Sequence, residues 1–185
     1  MTQRLAVLAS HTGSLLEAMI KRGVPIELVI TDRECRALHI AAEAGIPHVL
    51  LPRTFNKSFD REAYTKSMIA LLREHRIDLV AMAGFMTVFT PSMFAKDAYF
   101  LKMLNTHPSL LPSFKGDQAV RDALNYGVKV AGCTIHWATE ELDGGPILTQ
   151  EAVKVMPGDT VESLHERIKA VERELYPELL WHMIN

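Results

Sequence analysis

Cysteine is scarce in this 185-residue chain: Cys35 and Cys133 are its only two. Two thiols make neither a disulfide framework nor a cysteine metal cluster, and free thiols in a reducing compartment are the simpler reading. Long apolar runs are missing too, since no stretch approaches the roughly twenty residues of a membrane span. The opening Met1-Thr2-Gln3-Arg4 lacks a signal-peptide profile. There is no basic block either. Lys and Arg number 20 against 22 Asp and Glu, a net charge of −2, which argues against a nucleic-acid partner. Internal repeats, low-complexity tracts and domain linkers are absent, as is the glycine and lysine spacing of a Walker loop or dinucleotide fingerprint. What remains is an ordinary globular balance, 48% hydrophobic and 23% charged, expected as one domain in the cytoplasm.

The pattern that is present alternates strands with helices. Leu5 to Ala9 is a continuous apolar run, followed by the small-residue turn Ser10-His11-Thr12-Gly13-Ser14. Leu15, Leu16, Met19 and Ile20 then recur at helical spacing until Gly23. Ile26 to Ile30, Val49 to Leu51 and Asp78 to Ala83 read as further buried strands. A helix carries Ala37, Ile40, Ala41 and Ala44, and a longer one opens near Asp60. This rhythm predicts a doubly wound, Rossmann-like α/β fold: one open, mostly parallel twisted sheet with helices on both faces. The second half differs. A short helix spans Pro91 to Lys96, a central strand runs from Leu101 to Asn105, and a helix covers Asp117 to Tyr126. Val130 to Ala138 and Ile147 to Val155, joined by the Glu140 to Gly145 turn, add an antiparallel portion. A final helix starts behind Thr160, with Pro177 expected to kink or end it.

The stretch Leu104-Asn105-Thr106-His107-Pro108-Ser109-Leu110-Leu111-Pro112 carries the clearest chemistry. In extended backbone, residues two apart share a face. An amide that donates and accepts thus lies beside an imidazole that changes charge near neutral pH. The pair suits a carbonyl oxygen that becomes negative during reaction, although Asn-x-His is also an ordinary turn. Pro108 and Pro112 stiffen the backbone, and the Leu111–Pro112 bond is a candidate for the cis form. The turn before Ser14 joins a buried strand to a helix N-terminus, a favourable place for an anion and equally a common βα connection. Asp143 lies in Leu142-Asp143-Gly144-Gly145-Pro146, which also reads as hairpin chemistry. A carboxylate near a histidine raises its pKa, so Asp143 is the natural partner for a cationic His107. His136, in Thr134-Ile135-His136-Trp137, is a second-tier candidate. The other histidines lack metal-ligand spacing and read as surface or helix residues, and no metal is expected.

Asn105 to Pro112, followed by Leu142 to Pro146, resembles the folate-dependent formyltransferases, and the resemblance runs over nearly the whole chain. It implies formyl transfer from 10-formyltetrahydrofolate, as cosubstrate, to the amine of glycinamide ribonucleotide. Asn105, His107 and Asp143 would be catalytic, with residues 1–100 forming the phosphate-binding half and 101–185 the catalytic and folate-binding half. Gly13, Ser14 and Leu15 would hold the phosphate, and Lys169, Ala170, Val171 and Glu172 on the last helix the rest of the ribonucleotide. The folate would meet Arg61, Met86, Thr87, Val88 and Phe89, together with Asn105 and Thr139, Glu140, Glu141, Leu142 and Asp143. Three departures stand out: His11 where many members have Gly, Leu15 for Asn, and Thr87 for Arg. The rival readings are a formyltetrahydrofolate hydrolase, whose usual N-terminal regulatory domain finds no room here, and a non-catalytic folate-binding module. Monomer and homodimer both remain open.

Overall fold

The computed structural model describes residues 3–54, 56–99 and 101–185; Met1 and Thr2 lie outside them. Seven strands form one sheet: β1 (Leu5–Ala9), β2 (Ile26–Thr31), β3 (His48–Leu50), β4 (Leu79–Met82), β5 (Met103–His107), β6 (Val130–Trp137) and β7 (Ile147–Lys154). Their order across the sheet is β3-β2-β1-β4-β5-β6-β7. The pairs among β1 to β5 are parallel, whereas β6 runs antiparallel to β5 and β7 to β6. The expected mixed sheet is thus the observed one.

All five residues of β1 are fully buried, and their alternation divides the core. Leu5, Val7 and Ala9 pack with Leu16 and Met19 of α1 (Ser14–Arg22), Ala37 and Ala41 of α2 (Arg36–Glu43), and the far end of α5 (Val161–Ile184). Ala6 and Leu8 face the opposite layer, Tyr64, Met68 and Leu72 of α3 (Arg61–Glu74). Each such large apolar side chain removed from water contributes about 1.5–3 kcal/mol. A third core joins α4 (Ala119–Tyr126) to α5 and β6 through Val120, Cys133, Leu164 and Ile168. Local chemistry fixes the helix starts: Asp60 accepts from the Ala63 N–H at 2.9 Å, and Thr160 and Ser163 form a reciprocal capping box.

Four expectations shift. The central strand starts at Met103, because Leu101 sits in the left-handed region (φ 49°) and belongs to a turn. The strand also runs on to His107, two residues past its expected end at Asn105. The segment after Pro91 is a 3₁₀ turn ending at Phe94, and α4 begins at Ala119 rather than Asp117. Pro177 neither ends nor marks the limit of α5, which continues to Ile184 with Pro177 itself buried. The lost N–H is offset by burial of Leu180 and Ile184 beyond it.

Candidate active site

β5 carries the site, and its pairing with β6 sets the geometry. Asn105 stands opposite His136 and His107 opposite Thr134. His107 is 5% exposed, and both of its ring nitrogens face oxygen. Nδ1 lies 3.4 Å from Asp143 Oδ2, and Nε2 lies 2.8 Å from the Phe114 carbonyl. Donation at both positions requires the doubly protonated ring. Asp143 Oδ2 also accepts from the Gly116 N–H at 2.9 Å, so the 114–116 loop is tied to both members of the pair.

His136 occupies the other side of the same carboxylate, with Nε2 3.7 Å from Asp143 Oδ1. Its Nδ1 is 2.9 Å from the Trp137 carbonyl and so carries the proton on this network. Burial pushes the His136 pKa down, against the opposing pull of the Trp137 carbonyl and Asp143. The neutral ring then offers its Nε2 lone pair to Asn105 Nδ2, 3.4 Å away. Asn105 thus bonds to a ring that lies against the Asp143 carboxylate without donating to it.

Backbone strain concentrates here. Phe114 and Asp143 are non-glycine residues at φ 53° and 52°, a conformation that costs on the order of 1–3 kcal/mol each and persists where surroundings impose it. Gly145 is part of that imposition: a Cβ there would fall 1.8 Å from the Trp137 carbonyl oxygen. Only glycine lets the Asp143 turn lie this close against β6.

Two cavities open beside β5. The first, about 110 Å³, is lined by Thr87, Val88, Phe89, Asn105 and the 139–143 segment, with Phe85, Phe94 and His136 among the rest. Phe85 and Phe89 stack at 5.6 Å, giving a flat apolar wall. The second, about 570 Å³, is lined by Gly13, Ser14, Leu15, Lys169 and Glu172. Gly13 has φ 70°, and no side chain caps the N-terminus of α1 that it opens. A Cβ on Gly13 would meet Ile40 Cδ1 at 2.6 Å, so glycine is also what lets α1 and α2 close up behind the turn.

Several expected residues sit elsewhere. Met86 lines the second cavity, not the first, because its N–H is held at 2.9 Å by Ser10 Oγ at the end of β1. Thr87 turns its hydroxyl to the buried Asp32, 2.7 Å away. Burial alone would raise the Asp32 carboxyl, but hydrogen bonds from Arg33, Thr87 and Ser10 outweigh it and hold it low. Arg61 is exposed at the start of α3 and lines neither cavity, nor do Ala170 and Val171, the latter packed toward the third core. The Leu15 side chain is buried with the α1 core. His107 lies behind the first cavity rather than on its wall. The Leu111–Pro112 bond is cis.

Other lining residues escaped sequence reasoning. His165, read as an ordinary helix residue, faces the second cavity with Lys169 and Glu172. The signal was present: 165, 169 and 172 follow helical spacing along one face of α5. Thr106 lines that cavity too.

Comparison with known proteins decides the family. A formyl transferase domain matches residues 3–180. The chain belongs to the formyl transferase family. Among its relatives, the phosphoribosylglycinamide formyltransferase of Mycobacterium tuberculosis (strain ATCC 25618 / H37Rv) is 46% identical over 177 residues, 93% of this chain and 80% of that protein. Its counterpart in Bacillus subtilis (strain 168) is 33% identical, covering 98% of this chain and 95% of that one. The crystal structure of phosphoribosylglycinamide formyltransferase from Streptococcus pneumoniae TIGR4 superposes with a TM-score of 0.90 at 33% identity, covering the whole of both chains. The Anaplasma phagocytophilum structure gives 0.87 at 43% identity, over 98% of this chain and 86% of that one. This formyl transferase is therefore a formyl-transferring enzyme with the fold of those structures.

Proposed function

We propose that the enzyme transfers the formyl group of 10-formyltetrahydrofolate to the amine of glycinamide ribonucleotide in de novo purine biosynthesis, in the cytoplasm. One observation carries the reading: consecutive residues of β5, Asn105 and Thr106, open onto two different cavities, one flat and apolar, the other larger and bounded by an uncapped helix N-terminus. A pterin ring suits the first. In the second, first-turn N–H groups suit a phosphate and Glu172 suits the polar donors of a sugar or amine.

In this mechanism the acceptor nitrogen attacks the formyl carbon between the cavities, giving a tetrahedral oxyanion. The Asn105 amide and protonated His107 donate to that oxygen. For His107 this means exchanging the Phe114 carbonyl for the oxyanion at Nε2, while Asp143 stays at Nδ1. The bond to the folate nitrogen then breaks, and water ordered by Asp143 carries the proton lost by the amine to that nitrogen. Holding both substrates across one strand supplies much of the rate.

The test is the acceptor. With 10-formyltetrahydrofolate alone the protein should release little formate, and adding glycinamide ribonucleotide should start rapid transfer. Equal formate release without acceptor would make it a hydrolase. Formyl-folate binding with neither reaction would make it a folate-binding module.

A further inference from the structure

β5 distributes its side chains to opposite faces, and the face opposite Asn105 has its own hydrogen bond. Thr106 Oγ1 donates to Glu172 Oε1 at 2.7 Å. Both residues line the larger cavity, and Glu172 is 8% exposed. This is the only side-chain hydrogen bond that Glu172 makes among the described residues. Lys169, one turn away, is paired instead with Glu166 at 3.0 Å.

We propose that Thr106 is a positioning residue for the acceptor: its hydroxyl fixes one oxygen of Glu172, so that the other is aimed into the cavity to accept from ribonucleotide hydroxyl or amine donors. The inference rests on the acceptor reading above. It links the two halves of the reaction physically, since the residue between Asn105 and His107 would set the acceptor's anchor. A one-residue slip of β5 would exchange the two faces and lose both at once.

The surroundings make this hydrogen bond matter. Burial raises the Glu172 pKa; the Thr106 hydroxyl, followed by the charges of Lys169 and Arg173, pulls it back down. The other titratable groups facing it are Cys133 of β6 and Tyr176 of α5, both pushed up by burial first and by the Glu172 charge second or later, and His11 and His165 in the cavity wall. Of these neighbours, Thr106 is the one that donates a hydrogen bond. Without it the carboxyl holds its proton to higher pH.

The experiment compares Thr106→Val, which keeps the shape and loses the hydroxyl, with Thr106→Ser, which restores it. Thr106→Val is expected to raise the KM for glycinamide ribonucleotide about tenfold near neutral pH, with a smaller change in kcat and unchanged folate binding. That defect should shrink as pH rises and Glu172 ionises, and Thr106→Ser should stay close to the parent. Carbon-13 titration of glutamate side chains in the free enzyme reads the same effect without any substrate: the Glu172 midpoint should move up in Thr106→Val and not in Thr106→Ser. An unmoved Glu172 midpoint, or a pH-independent KM loss shared by both variants, overturns the inference. Absence of transfer by the parent enzyme would overturn the acceptor reading alone, leaving the carbon-13 result to judge Thr106.

Discussion

The two cavities beside β5 are built in opposite ways. The small one depends on side chains brought from distant parts of the chain: Asn105, His136 and Asp143, with His107 behind them, each held by one or two specific partners. The large one is framed by backbone at the Gly13 turn and by a stripe along one face of α5. In the first, His107, His136 and Asp143 are buried around one carboxylate, so losing one disables the set. In the second, donors are distributed, so a single loss weakens binding and leaves the rest in place. On the proposed reading, the reacting groups and the acceptor's anchor are thus separated across one strand.

Removing a member of the buried set should have the largest effect. His107→Ala or Asp143→Asn is expected to lower kcat by about 10²–10³ while both substrates still bind, as measured by steady-state rates beside ligand titrations. Near-parental turnover would collapse the distinction between the cavities. Gly13→Val should do two things at once. Its Cβ would collide with Ile40 and Ala37 of α2 at a positive φ, so stability falls by about 2–4 kcal/mol along with ribonucleotide affinity. Denaturant unfolding and calorimetric binding check both.

A subtler effect follows from the raised Glu172 carboxyl. The folded state holds its proton more tightly than the unfolded chain, so that stabilisation is complete below the ordinary carboxylate range and is lost as pH rises through the raised pKa. Glu172→Gln should therefore gain stability relative to the parent between pH 5 and pH 8, while ribonucleotide affinity falls. Melting curves at the two pH values decide it. The smallest change belongs to the rim. Lys115 and Glu141 pair at 2.7 Å but are well exposed, so Lys115→Ala should leave the denaturant midpoint close to the parent's.

Legibility in the sequence follows the same division. β1 is readable to the residue because a strand buried on both faces is a continuous apolar run, and Thr160 announces α5 by capping chemistry alone. Leu101 misleads because an apolar residue in a turn looks like a strand residue until its φ is known. The Asn105–His107 pair is visible as a spacing, and Asp143 as a residue in search of a partner. Their meeting depends on the β5–β6 register and on Gly145, which no local pattern specifies. The engagement of His107 with the Phe114 carbonyl is equally tertiary, since it comes from a loop seven residues on that no periodic pattern marks.

The placement of β5, with a parallel neighbour on one side and an antiparallel neighbour on the other, bears on how the enzyme comes into being during synthesis. As the chain emerges from its N-terminus, β1 to β4 and α1 to α3 come first, with the face of β1 that α5 covers still open, and they hold none of the proposed catalytic side chains. β5 supplies Asn105 and His107, but Asn105 lacks His136 and His107 lacks Asp143 until the β6–β7 hairpin is made. Glu172 arrives later still, on the last helix. The residues of the proposed formyl site are thus complete only after all five parallel strands have been made, and the proposed acceptor anchor comes last.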